Sequence, residues 1–132
     1  MAQQLVFACT NCGYSVEAWD EGHPYIEGPD GRRHHFYHPG EHRQLIAIAR
    51  ELLGREPSRD DVDQMLRDHG GNEGDFLCLE CRTFSKRNER EATEPCAKCG
   101  STNVVDIWRL PGCTCPKCKK GTFNKGRMGA IS

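Results

Sequence analysis

The stretch CLECRTFSKRNEREATEPCAKCGSTNVV, residues 78–105, decides the fold. It carries two C-x2-C pairs, Cys78/Cys81 and Cys96/Cys99, separated by a polar, charged loop. Two thiolates three positions apart on one tight turn grip a single metal ion, and two such pairs complete a tetrahedral S4 set. Working outward, the same spacing recurs at Cys9/Cys12 and at Cys115/Cys118, so eight of the nine cysteines are paired in this way. The sequence therefore predicts two S4 sites. That ligand set favours zinc, or iron in a mononuclear site.

The rest of the composition fits a metal-stapled domain. At 132 residues, with a hydrophobic fraction of 36% and a mean hydropathy of −0.72, the chain has little apolar material for a core. Small domains make up for such a deficit with metals or disulfides. The start MAQQLVFACTNC lacks the basic and apolar regions of a signal peptide, which argues for a reducing cytoplasm and against disulfides. No apolar run reaches the roughly 18 residues of a membrane helix. The net charge of −1 hides an asymmetry. Residues 1–77 carry 7 Lys+Arg against 14 Asp+Glu, while residues 78–132 carry 11 against 5. Each S4 site with a divalent ion adds about −2 locally. Any nucleic-acid contact must then come from the basic C-terminal half.

Periodicity places the other elements. Residues 4–8 read as a strand entering the first knuckle, with a return over 14–19. Pro24–Ile26 and His35–Tyr37 flank Gly28-Pro29-Asp30-Gly31 as a hairpin. A helix over 41–53 carries Leu45, Ile46, Ile48, Ala49, Leu52 and Leu53, with Gly54 as its C-cap. A second helix starts at Ser58, with Asp61 completing a capping box and Val62, Met65, Leu66 and His69 at helical spacing. Val104–Leu110 reads as a strand, another is expected near 121–123, and the tail after Asn124 reads as irregular. Cys113 reads as an incidental small residue, against a replacement ligand or a thiol activated by Lys117 and Lys119. His34, His35, His38 and His42 read as surface histidines of a hairpin and helix start, against a third metal site.

Length alone cannot match the four pairs, since Cys81 to Cys96 and Cys99 to Cys115 enclose 14 and 15 residues. Local texture helps. Residues 76–110 resemble a zinc ribbon: a knuckle, an aromatic at Phe84, a polar loop, a second knuckle, then Gly-Ser and Val104-Val105. CTNCGYSVEAWDEG and CPKCKKGTF, at the two ends, resemble the knuckles of rubredoxin-like proteins. This resemblance implies a nested pairing of Cys9/Cys12 with Cys115/Cys118 around an inner ribbon. The tandem pairing, Cys9/Cys12 with Cys78/Cys81, is the alternative. The implied architecture is a small metal-stabilised α+β fold: two zinc-ribbon or rubredoxin-like β knuckle units with an inserted helical hairpin. Residues 1–40 and 111–132 would form the outer unit, 41–71 the helical hairpin and 76–110 the inner ribbon. The cofactor reading is two Zn2+ ions, with iron as the alternative at the outer site.

A closed S4 site leaves no open position for substrate or water, so the chain reads as non-enzymatic. No Gly-rich phosphate loop, HExxH or Ser-nucleophile motif is present, and no small-molecule substrate suggests itself. The first reading is a binding module of a nucleic-acid-associated machine, using Lys86, Arg87, Arg90, Lys117, Lys119, Lys120, Lys125 and Arg127. A protein–protein adaptor working through the helical hairpin is the second reading, and a rubredoxin-like iron electron carrier is the third.

Overall fold

Strand β1 (Gln3–Ala8) runs into the first knuckle and β2 (Ser15–Trp19) returns beside it, antiparallel, with Phe7 opposite Val16 and Leu5 opposite Ala18. The computed structural model describes residues 3–124 and 127–130. Strict alternation makes one face of this hairpin apolar: Leu5, Phe7, Val16 and Ala18 are buried while Ser15 and Glu17 face water.

The chain continues through β3 (His23–Glu27), β4 (Arg33–His35), α1 (Glu41–Leu53), α2 (Arg59–His69), β5 (Gly70–Cys78), β6 (Phe84–Arg87), β7 (Val104–Asp106) and β8 (Arg127–Ala130). Two compact units emerge, one of residues 1–22 and 74–131, the other of residues 23–73. Residues 23–40, assigned from sequence to the outer metal unit, belong with the helices. Both groups of paired cysteines belong to the first unit.

In that first unit β1 is central, flanked by β2 and by β8. The tail expected to be irregular therefore supplies a strand, whose Met128 lies opposite Leu5. A second group of strands places β5 between β6 and β7, with Leu77 opposite Phe84 and Val105. Leu5, Phe7, Val16, Ala18, Leu77, Ile107, Leu110 and Phe123 form one apolar cluster. The strand expected over 104–110 stops at Asp106. The Asp106 carboxylate accepts the Trp108 N–H at 2.9 Å, and a single 3-10 turn follows over Ile107–Arg109. A short polar side chain has out-competed the ladder for a backbone donor. Near Gly121 no full strand forms; Phe123 makes isolated bridges to Cys9 and Pro111.

In the second unit β3 pairs with β4 and with Gly70–Glu73 of β5. The apolar stripe of α1 packs Leu45, Ile48 and Ala49 against Ile26 and Val62. Gly54, at φ 70°, closes α1 through its N–H on the Arg50 carbonyl. Ser58 and Asp61 form the reciprocal capping box of α2. Gly70 and Gly71 do more than end that helix: a Cβ on Gly71 would collide with the Tyr25 ring, and one on Gly70 with the Leu66 carbonyl. These two glycines let the helix pass straight into β5.

Candidate metal centres

Each knuckle repeats one local backbone plan. The first cysteine donates its N–H to the carbonyl five residues on: Cys9 to Tyr14, Cys78 to Thr83, Cys96 to Ser101. Cys115 reaches Gly121 instead, one residue further. In all four, the residue after the second cysteine returns its N–H to the first cysteine's carbonyl and adopts positive φ: Gly13 (77°), Arg82 (69°), Gly100 (76°) and Lys119 (61°). Glycine takes that conformation at no steric cost, whereas Arg82 and Lys119 pay about 1–2 kcal/mol for it.

The knuckles pair in the nested order. Cys9, Cys12, Cys115 and Cys118 form one group and Cys78, Cys81, Cys96 and Cys99 the other, with all sulfurs of a group within 4.8 Å of one another. The short edges measure 3.6 Å for Cys9–Cys118 and 3.7 Å for Cys12–Cys115, and 3.6 Å for both Cys78–Cys99 and Cys81–Cys96. A regular tetrahedron with Zn–S bonds of about 2.3 Å has edges of about 3.8 Å, and a disulfide would bring the sulfurs to about 2.05 Å. All nine cysteines are free thiols. The donor set and its spacing fit a tetrahedral divalent ion in each group, and can hold one. Among the described residues these are the two groups of three or more cysteine, histidine or carboxylate side chains so gathered.

The surroundings favour negative sulfur. Asn11 and Cys12 N–H groups point at the Cys9 sulfur at 3.3 and 3.5 Å, Lys117 N–H at Cys115 at 3.4 Å, and Gly121 N–H at Cys118 at 3.4 Å. The Gly121 N–H, the Asn11 side chain and the Lys120 N–H bring Cys118 down to about 5. The Thr83 hydroxyl, 2.9 Å away, and the Thr83 N–H bring Cys81 down to about 6. Cys9 and Cys96 are lowered mainly by the N–H groups of Cys12 and Cys99. The Tyr14 N–H lowers Cys12, but burial and the neighbouring sulfurs outweigh it and hold that thiol at about 11. Cys99 stands at about 12, for the same reasons working against the Ser101 N–H. A divalent ion bound by either group would displace whatever protons its sulfurs hold. In each group two cysteines are buried, one is half-buried and one, Cys12 or Cys99, is exposed.

One residue that the spacing rules pass over shapes the outer group. A Cβ on Gly121 would lie 2.5 Å from the Cys9 sulfur and 2.6 Å from Asn11 Cβ, so glycine lets the two terminal knuckles close on each other. Cys113 stays outside both groups, its thiol donating to the Arg109 carbonyl at 3.1 Å. The histidines serve the second unit. His35 Nε2 and Arg33 meet the buried Glu73 carboxylate at 2.5 and 2.6 Å, and His38 Nδ1 meets Glu41 at 2.6 Å.

The expected basic set divides. Lys86, Arg90, Lys117, Lys119 and Lys120 are exposed. Arg87 is buried, its guanidinium donating to the Glu91, Glu94 and Pro95 carbonyls and lying 5.7 Å over the Phe76 ring. It braces the loop from inside and presents no free donor fork to a phosphate. Lys125 lies outside the described residues, and Arg127 is placed on β8 by its backbone, opposite Val6. Phe84 and Trp108 are exposed, at 42% and 57%. Among the described residues no helix is long and apolar enough to cross a membrane. No protein-family model, no curated protein and no solved structure matches this chain.

Proposed function

We propose that the chain is a non-enzymatic module held in shape by two zinc ions, working in a reducing cytoplasm as a binding part of a nucleic-acid-associated machine. The observation that carries the metal part is the closure of both groups: four sulfurs at tetrahedral spacing around each centre leave no position for a substrate or a water. Zinc suits such a set because it needs no redox partner and accepts tetrahedral geometry without preference. Support for the binding part comes from exposed Lys86, Arg90, Lys117, Lys119 and Lys120, together with the exposed Phe84 and Trp108 rings. Lys117, Lys119 and Lys120 also flank thiolates, so part of their charge offsets the about −2 of the outer centre. The contribution to phosphate binding falls chiefly to Lys86 and Arg90.

The test is oligonucleotide binding by the zinc-loaded protein at two salt concentrations. Binding that weakens several-fold as salt rises supports the reading, and no binding at low salt overturns it. The adaptor reading has less support, because Leu45, Ile48 and Ala49 of the helical face are already buried against Ile26 and Val62. The iron carrier draws on the exposed Cys12 at the edge of the outer centre, a feature that Cys99 gives the inner centre as well. Visible colour in protein made in iron-replete cells would promote it over zinc.

A further inference from the structure

The two centres meet through a specific pair of side chains. Arg82 ends the Cys78/Cys81 knuckle, and its guanidinium lies 5.8 Å over the ring of Tyr14, which ends the Cys9/Cys12 knuckle. Tyr14 in turn packs on Phe123, 6.1 Å between ring centroids, just beyond the Cys115/Cys118 knuckle. At that distance a guanidinium is attracted to the face of the ring electrostatically as well as by packing. Leu79, inside the inner knuckle, leans on the same apolar cluster that holds Phe7 and Phe123. Arg82 holds a left-handed backbone that glycine would adopt freely, and its side chain stacks on Tyr14 where a glycine would leave that ring uncovered.

The two centres also differ in what must come together before they exist. The inner sulfur pairs span 15 and 21 residues, the outer ones 103 and 109. Closing the longer loop in a loosely folded chain costs more entropy, so the inner centre forms first on its own. Once formed, it fixes Arg82 and Leu79 where the outer knuckles need them.

Resting on the two-centre reading above, we propose that metal loading is sequential and positively coupled: the ion at Cys78/Cys81/Cys96/Cys99 organises Arg82, and Arg82 seated on Tyr14 raises the affinity of Cys9/Cys12/Cys115/Cys118 for the second ion. Each loading step binds one divalent ion to four sulfurs and releases to solvent whatever protons those sulfurs held. The coupling is a free energy shared by two sites, so it acts equally in both directions at equilibrium.

The test uses the reduced, metal-free full chain titrated with Co2+, whose thiolate complexes absorb visible and near-ultraviolet light, against a competing chelator. Wild type should bind two ions, the second site filling only after the first. Cys78→Ser with Cys99→Ser should weaken the remaining outer site at least tenfold. Because that variant also loses a structural staple, Arg82→Gly provides the second arm. It keeps the permissive backbone and every ligand, so inner affinity should hold while outer affinity falls two- to fivefold, and Arg82→Gly should have no effect on outer affinity in a Tyr14→Leu background. Fewer than two ions in wild type would overturn the two-centre reading itself. Two ions, with outer affinity unchanged in Arg82→Gly, would leave that reading standing and overturn the coupling.

Discussion

The inner and outer centres use the same four-sulfur chemistry but are built in different ways. The inner one is assembled from neighbouring chain: the C-terminal end of β5, the turn into β6 and the loop that follows β6. The outer one joins residues 9 and 12 to residues 115 and 118, and so closes nearly the whole chain on itself. The inner centre is a local staple. The outer one is a long-range cross-link whose contribution depends on everything between its ends being in place. By loop-closure entropy, a cross-link over a roughly sevenfold longer loop restrains the unfolded chain by about 2 kcal/mol more.

Four experiments sharpen or break that contrast. The largest effect should come from removing metal. Chelation under reducing conditions should abolish the cooperative melt of the unit holding both centres, since structural zinc supplies on the order of 10 kcal/mol. Circular dichroism during chelator titration reads this directly, and an unchanged melt would contradict it. Next, Cys115→Ser should lower stability by about 2 kcal/mol more than Cys96→Ser in urea titrations of the loaded protein, because it opens the longer loop. Equal losses would erase the distinction between the centres. Gly121→Ala should weaken outer metal binding several-fold and leave the inner site alone, because its Cβ must displace the Cys9 sulfur. The smallest effects should separate two matching positions. Lys119→Gly should stabilise by about 1 kcal/mol, while Arg82→Gly should come out near neutral, its backbone relief offset by the lost Tyr14 contact.

The second unit provides a control with no metal. Ser58→Ala should cost about 1 kcal/mol through loss of the α2 cap. The Asp61 carboxyl is held below the ordinary carboxylate range by the Arg55 guanidinium and by Ser58. Its contribution is present above the unfolded carboxylate pKa, near 4, and fades as pH falls toward its lowered folded value. Acid titration of the helical signal should therefore show α2 loosening at strongly acid pH, and less so in Asp61→Asn.

The four cysteine turns were legible because their chemistry is local: each C-x2-C pair declares its own turn. Helix α1, with its 13 residues of 3.6-period pattern and Gly54 stop, was legible for the same reason, as was the Ser58/Asp61 box. The nested pairing is a long-range fact that no spacing encodes, and it emerged only through the texture around Cys12 and Cys118. Among the features that escaped, three are instructive. Strand β8 is a four-residue, glycine-containing segment, RMGA, too short to show a period, and its pairing to β1 comes from tertiary context. The end of β7 at Asp106 turns on one carboxylate hydrogen bond, although an aspartate two residues before a would-be strand residue is a readable turn signal. Arg87 sits among charged residues that all look exposed, and only the alternation of β6, with Phe84 and Lys86 out and Arg87 in, sets it apart.

Native mass spectrometry of the intact, reduced protein tests the central claim most directly. One dominant species heavier than the polypeptide by two zinc ions is expected, losing both on acidification. A dominant species at the mass of the bare polypeptide, purified without chelator, would contradict it.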